Sequence, residues 1–377
     1  MVIRQLKLAD YRNYPCVTLS PSAGITVFHG SNGAGKTNLL EAIHLCCLGR
    51  SHRTSQDREL IRKGCESASI QVQVMRADGR RDVMVKLWSS QKRAKQIFLN
   101  AKPAARIGEL MGHINCVMFS PEDLELIKDG PAQRRRFMDM QLSQLRPSYF
   151  YSLQKYVSTL NQRNALLRAM AAPGGNKNPA GQLEVWDEQL AKEGANIVSQ
   201  RRWFAEIVKE EAEKNYEHIS GSKEEIFQAE YIGPLSKADK LVEVMLEGLY
   251  KTRREDMRRC TTQFGPHRDD LLLTIQGRDM KNFASQGQMR TAALALRLSQ
   301  LTLMKTESGE APVLLLDDVM SELDPKRRAL LLLRIEGVQT FVTCTDRSDL
   351  SGAKAQAMIE VGCDKETGCA ALYGVEK

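Results

Sequence analysis

The chain has 377 residues, 42% hydrophobic and 27% charged, a balance expected of a soluble globular protein with one large core or two smaller ones. No apolar run approaches the length of a membrane span, and the opening MVIRQLKLADYRNY has no apolar signal segment, so a cytoplasmic protein with no membrane partner is expected. The net charge of +8 favours a polyanionic partner, and nine cysteines without a C-x-x-C pair read as reduced thiols rather than a disulfide framework.

The first hundred residues read as strands around one helix. ITVFH (residues 25–29) is a β-branched run of the kind that forms a buried strand. It leads into GSNGAGKT: Gly30, Ser31, Asn32, Gly33, Ala34, Gly35, Lys36 and Thr37. Glycines at 30, 33 and 35 allow a tight turn whose amides point at a phosphate chain. Lys36 reaches the β- and γ-phosphates, and the Thr37 hydroxyl stands where Mg²⁺ is bound. The helix predicted from Lys36, with apolar Leu39, Leu40, Ile43 and Leu45, aims its positive end at the same anion. SIQVQVMRADGRRDVMVKLW then gives two alternating runs joined at Asp78-Gly79, a hairpin signal, and QIFLN adds a third strand.

From about Pro131 to Cys260 the pattern becomes helical, which predicts three segments: 1–130, an inserted helical lobe at 131–260, and 261–377. A helix opens at Pro147 with apolar Leu153, Val157, Leu160 and Leu167. Residues 171–181 have the composition of a flexible tip. Leu183, Leu190, Ile197 and Phe204 then recur every seven residues, with Trp186 and Val208 near complementary positions, which predicts an antiparallel helical hairpin. Basic residues cluster at Arg50, His52, Arg53, Arg58, Arg62 and Lys63; at Lys92, Arg93 and Lys95; at Arg134, Arg135 and Arg136; and at Arg253, Arg254, Arg258 and Arg259. Together they favour binding to a phosphate backbone, although each alone also suits a solvated helix face. Arg134 and its neighbours read equally well as DNA-facing, as a solvated helix start or as an internal salt-bridge set, and His267-Arg268 as facing a phosphate or as a turn leading into a strand.

Strand character returns at DDLLLTIQG, APVLLLDDV and VQTFVTCTD, so α/β material lies at both chain ends. VLLLD is a buried strand expected beside the phosphate loop. It leaves Asp317 at its carboxyl end to hold Mg²⁺ through water, and Asp318 where a water-orienting carboxylate is needed. In FASQGQMR, Ser285, Gly287 and Gln288 stand before a long amphipathic helix and make a second phosphate-binding helix end. One ATP does not readily use both ends from one chain. Two protomers head to tail would let each Ser-x-Gly-Gln turn close over the γ-phosphate held by its neighbour.

These motifs, in this order, resemble the RecF family of bacterial DNA replication and repair proteins, relatives of the ABC-type ATPase heads of SMC proteins. The resemblance covers nearly the whole chain through LADYRNY, GSNGAGKTNLLEAI, GRSHRT, FSPEDLELIKDGPAQRRRFMD, FGPHRDDL, FASQGQMR and LLLDDVMSELD. It implies an α/β fold: an ABC-type P-loop head built from both chain ends, with an inserted, mostly α-helical lobe and a short antiparallel helical arm. It further implies ATP at residues 30–37, Mg²⁺ at Thr37 and Asp317, catalysis by Asp318 and Lys36, and a trans-acting turn at Ser285, Gly287 and Gln288. Residues 321–324 would form the loop that reports across the dimer. The implied partners are single-stranded, gapped or junction DNA, an ATP-dependent second copy, and RecR and RecO family proteins, in DNA repair, replication and the SOS response. Ala-Ser-Gln-Gly-Gln replaces the Leu-Ser-Gly-Gly-Gln of transporter ATPases. Asp318 stands in place of their glutamate and Thr345-Asp346 in place of their histidine, which fits slow turnover. The rival readings are a transporter ATPase subunit, a monomeric P-loop kinase, and a protein that keeps ATP as a structural ligand only.

Overall fold

In chain order the structure, a computed structural model describing residues 1–90, 95–172, 180–346, 355–364 and 367–376, opens with strands β1 (Val2–Tyr11), β2 (Tyr14–Leu19) and β3 (Ile25–His29). Helix α1 (Lys36–Leu48) and strands β4 (Ser67–Arg76), β5 (Gly79–Trp88), β6 (Lys95–Leu99), β7 (Lys102–Pro103) and β8 (Cys116–Phe119) follow. Helices α2 (Glu125–Lys128), α3 (Pro131–Leu145), α4 (Pro147–Ala171) and α5 (Ala180–Ser220) come next, then β9 (Phe227–Ile232) and α6 (Leu241–Arg259). The last third holds β10 (Asp270–Ile275), β11 (Arg278–Asp279), α7 (Met280–Phe283), α8 (Gln286–Ser308) and β12 (Val313–Asp317). It ends with α9 (Pro325–Arg334), β13 (Thr340–Cys344), β14 (Ala357–Cys363) and β15 (Ala370–Glu376). The chain divides into two compact units, Met1–Leu124 with Ala293–Lys377, and Glu125–Ala292.

The first unit has two sheets. In the order β2-β1-β4-β5-β6-β7 every neighbouring pair is antiparallel. Alternation puts Ile70, Val72 and Val74 of β4 and Val83, Val85 and Leu87 of β5 on the buried face. The second sheet runs β15-β14-β3-β13-β12-β8, parallel throughout except for the β14–β15 pair. Its strands β12 and β13 are buried along their whole length, as a parallel strand covered on both faces must be. Strand β12 is separated from β3 by β13, yet its carboxyl end reaches the glycine loop, where Asp317 meets Thr37.

Helix α1 touches β4 and β5 of the first sheet and β8, β12 and β13 of the second. That explains why it is buried almost all round rather than along one stripe. Gly49, in the left-handed conformation with φ 68°, ends it by donating its N–H to Leu45 O at 2.8 Å. Buried Glu41 accepts two hydrogen bonds from the Arg12 guanidinium, at 2.8 and 2.7 Å, and others from Tyr11 Oη and Ser51 Oγ. Burial pushes the Glu41 carboxyl up, but the bonds from Arg12 and Ser51 outweigh it and hold it below the ordinary value.

In the second unit, α4 and α5 form an antiparallel hairpin: Ser152 meets Asn196, and Arg163 meets Asp187. The heptad positions Leu183, Leu190, Ile197 and Phe204 are all fully buried. On α4 the buried face is Tyr149, Tyr156, Thr159, Arg163 and Leu167, whereas Val157 is 46% exposed. The expected apolar stripe is thus rotated, because a buried ion pair set takes the place of aliphatic packing. Arg163 is fully buried and binds Asp187 and Asp256, both at 2.7 Å. The tip lies largely outside the described residues, as do Lys92 and Arg93.

The lobe is not helical alone. IFQAEYI yields β9, whose Phe227, Ala229 and Tyr231 alternate inward and pair antiparallel with β10. Strand β10, assigned from sequence to the C-terminal segment, therefore belongs to the second unit.

Candidate nucleotide-binding site

The loop after β3 turns through Gly30 and Gly35, with φ of 143° and 116°. A Cβ at Gly30 would lie 2.1 Å from Val361 O, and one at Gly35 would lie 2.7 Å from the Asn13 side chain. Glycine is required at both on conformational and steric grounds. Asn13 donates to Ala34 O at 3.0 Å, and Tyr14 Oη donates to Gly35 O at 3.1 Å. The β1–β2 turn, with Asp10 and Arg12 at positive φ, thus supports the loop from below. Sequence reading did not single out Asn13 or Tyr14 as site residues. The only signal was their place in the DYRNY stretch.

Lys36 is buried, and its Nζ donates to Gly30 O at 2.6 Å and Ser31 O at 3.0 Å, which holds the ammonium over the loop. Thr37 Oγ1 donates to Asp317 Oδ1 at 2.8 Å, joining two residues 280 positions apart in sequence. The same carboxylate oxygen accepts from Thr343 Oγ1 at 2.8 Å, and Thr343 Oγ1 in turn accepts the Asp318 amide at 2.8 Å. Thr343, from β13, was also missed; it orients the carboxylate from the strand between β3 and β12. Asp318 has a φ of 53°, unusual for a residue with a side chain, and Ser321 Oγ donates to its carbonyl. Thr345 Oγ1 donates to Asn32 Oδ1 at 3.3 Å, so the residue after β13 reaches the loop as well. Every one of these groups lies at the carboxyl edge of the parallel sheet, where open α/β sheets bind ligands. A hydroxyl and a carboxylate at contact distance beside a glycine loop suit a hard divalent cation on a phosphate chain.

Ser285, Gly287 and Gln288 lie in the second unit. Ser285 Oγ accepts the Gln288 amide at 3.2 Å, and Gln288 Oε1 accepts the Ser285 amide at 2.9 Å, a reciprocal cap on α8. Gln288 is also tied to Glu225 at 3.2 Å, and Gly287 O accepts from Thr291. The turn is built rigidly while Ser285 stays exposed.

The two residues left open in the sequence have structural partners. Arg134 binds Asp270 through two bonds, at 2.7 and 2.8 Å, and reaches Leu126 O and Asp129 O; Arg135 binds Asp269 O; Arg136 is exposed. Among the other basic residues, Arg62 pairs with Asp10, Lys95 with Asp57, Arg253 with Asp187, and Arg258 and Arg259 with Glu255. His267 Nε2 donates to Thr262 O at 3.0 Å, so its Nδ1 accepts from Tyr156 Oη at 2.7 Å. Burial pushes its pKa from 6.5 down to about 4, whereas burial pushes Asp269 from 3.8 up to about 6 against the pull of Arg201.

The signs are opposite. The stabilising contribution of His267 is present above pH 6.5 and lost as pH falls through 4; that of Asp269 is present below 3.8 and lost as pH rises through 6. The stability difference between the native chain and His267→Gln should therefore shrink as pH falls from 6.5 to 4. Urea midpoints across that range measure it. A difference independent of pH would show that His267 titrates normally.

A family model described as the RecF/RecN/SMC N terminal domain matches residues 2–367. The chain is 42% identical over 355 residues to the DNA replication and repair protein RecF of Ruminiclostridium cellulolyticum, covering 92% of this chain and 93% of that protein. It is 41% identical over 360 residues to its counterpart in Alkaliphilus oremlandii, covering 94% and 96%. A solved structure of the recombination mediator protein RecF with ATP, in the RecFOR pathway, is 34% identical with a TM-score of 0.89, over 99% of this chain and 98% of that one. The Smc head of Pyrococcus furiosus, 16% identical with a TM-score of 0.58 over 99% of this chain and 96% of that one, shares the fold. Among the described residues no helix is long and apolar enough to cross a membrane. The fold is an ABC-type ATPase head carrying an inserted lobe, and the chain belongs to the RecF family of DNA replication and repair proteins.

Proposed function

We propose that this chain is an ATP-switched DNA-binding protein of recombinational repair and replication, which dimerises on ATP and releases DNA on slow hydrolysis. The observation that carries the reading is the Thr37–Asp317 contact at the mouth of the glycine loop, in a chain of this family. In this reading residues 30–37 hold the ATP phosphates, Lys36 offsets their charge, and Thr37 and Asp317 hold Mg²⁺, which screens the phosphates when bound. Asp318 orients the attacking water. Its backbone is held by Thr343 and Ser321, which suits a side chain kept in one direction. Ser285, Gly287 and Gln288 close over the γ-phosphate of a second copy. The exposed Ser285 and its capped helix end support that role.

The DNA partner is single-stranded, gapped or junction DNA, bound through phosphates, with RecR and RecO family proteins as further partners. A transporter subunit is disfavoured by the family, and a monomeric kinase would not use Ser285. DNA affinity and oligomeric state, measured together with and without ATP, test the reading; an ATP-independent monomer that binds DNA equally well would sink it. Asp318→Asn keeps the side-chain shape and removes the charge. It should retain ATP binding, slow phosphate release by roughly a hundredfold and lengthen the life of the dimer. Phosphate release at the native rate would place the water-orienting group elsewhere.

A further inference from the structure

At the amino edge of the parallel sheet, where β3 begins at Ile25 and Val338 precedes β13, lies a cavity of about 720 Å³. It is the edge opposite the phosphate loop. Ile25, Ala329, Leu332, Leu333, Ile335 and Val338 supply its apolar lining. Helix α9 forms one wall and turns two of these side chains outward: Ala329 is exposed and Leu333 is 68% exposed. Aliphatic side chains left in water around a concave surface of this volume are the usual mark of a binding groove.

The charge beside the groove is mostly positive. Helix α9 carries Lys326, Arg327, Arg328 and Arg334, and of these Arg327 is paired with Asp324 at the helix start. Arg328 lines the cavity. One of its nitrogens donates to Leu323 O at 3.2 Å, while its Nε is buried with no hydrogen-bond partner among the described residues. A buried guanidinium edge without an acceptor is costly unless an anionic group completes it. Glu336 is the one acid on the lining.

We propose that this groove docks an acidic amphipathic helix of a partner protein. Two or three large aliphatic side chains at spacings of three and four residues enter between Leu333, Leu332 and Val338. Carboxylates on the flanks meet Arg328, Lys326 and Arg334. Glu336 repels a carboxylate at its end of the groove and so fixes the direction of the helix. Helix α9 starts at Pro325 and is capped by Asp324, the last residue of the 321–324 loop, so the occupant sits on the helix that follows that loop. The proposal does not depend on the role given to Ser285 or Asp318.

The test uses the full chain and fluorescein-labelled synthetic helices of about 14 residues, with leucine at helical spacing and either glutamate or lysine at every other position. Fluorescence anisotropy should give saturable binding of the acidic helix with a Kd on the order of 10 µM, and at least roughly tenfold weaker binding of the basic helix. Leu333→Glu and Arg328→Glu should each weaken the acidic helix by about tenfold or more, both leaving ATP binding unchanged and Leu333→Glu leaving the melting temperature unchanged as well. Leu333 is exposed, so its replacement does not disturb the core. Equal affinity for both helices, no saturable binding below about 1 mM, or affinity within twofold in Leu333→Glu would overturn the proposal. Self-association without ATP that Leu333→Glu abolishes would assign the groove to a second copy and overturn it too.

Discussion

Lys36→Met is expected to remove ATP-dependent dimerisation and to weaken ATP binding by roughly a hundredfold, equivalent to about 3 kcal/mol. The ammonium is buried and held by two loop carbonyls, so it is already positioned over the loop that would receive the phosphates. Methionine keeps the aliphatic stem and loses the charge. The fold should survive, because the lost bonds run only to Gly30 O and Ser31 O and the stem stays packed. Equilibrium dialysis with ATP and light scattering with and without nucleotide measure the two losses. A folded Lys36→Met chain that dimerises normally on ATP would refute the assignment of the loop.

Ser285→Arg is expected to leave ATP binding by the single chain intact and to abolish the dimer. Ser285 caps α8 through its hydroxyl, and that cap is worth about 1 kcal/mol, so the variant loses little stability. What it gains is a long cation at the place where the γ-phosphate held by the other copy would sit. Mixing Ser285→Arg with Lys36→Met sharpens the test. In a mixed pair one interface carries both defects, and the other joins an intact loop to an intact turn. That pairing should recover ATPase activity up to about half of the sites, if one closed site holds the dimer. DNA affinity should follow dimer formation and fall steeply with salt, as counterion release requires. A Ser285→Arg chain that stays monomeric with ATP yet binds DNA as tightly as the native chain would break the link between closure and DNA.

The glycine loop of the candidate site was legible as a turn because its chemistry is local. Glycines at 30 and 35 are demanded by the backbone of one turn, and the lysine and threonine that follow sit at the first turn of α1. Partners brought by the fold were not legible. Asn13, Tyr14 and Thr343 have no motif of their own at that distance, and only pairing of β1 with β2 and of β13 with β12 brings them to the loop and to Asp317. The heptad of α5 was readable because apolar residues repeat along one helix. The buried face of α4 was not, since Arg163 reads as a surface residue until Asp187 and Asp256 surround it. Strand β9 was hidden for a related reason: a six-residue strand carries too little periodicity to stand out among long helices.

By itself the sequence determined that a glycine loop follows a buried strand, that a carboxylate pair ends another, and that both chain ends carry α/β material. These follow from residue type and spacing over a few positions, where sterics and hydrogen bonding act within one turn. Tertiary structure decided which strand lies between β3 and β12, which carboxylate oxygen the Thr37 hydroxyl meets, and which unit claims β10. It also decided that the basic Arg134 lies against Asp270 instead of facing solvent. Those outcomes depend on contacts between residues well separated in the chain, and the free energy of burying and pairing them exists only once the sheets have formed.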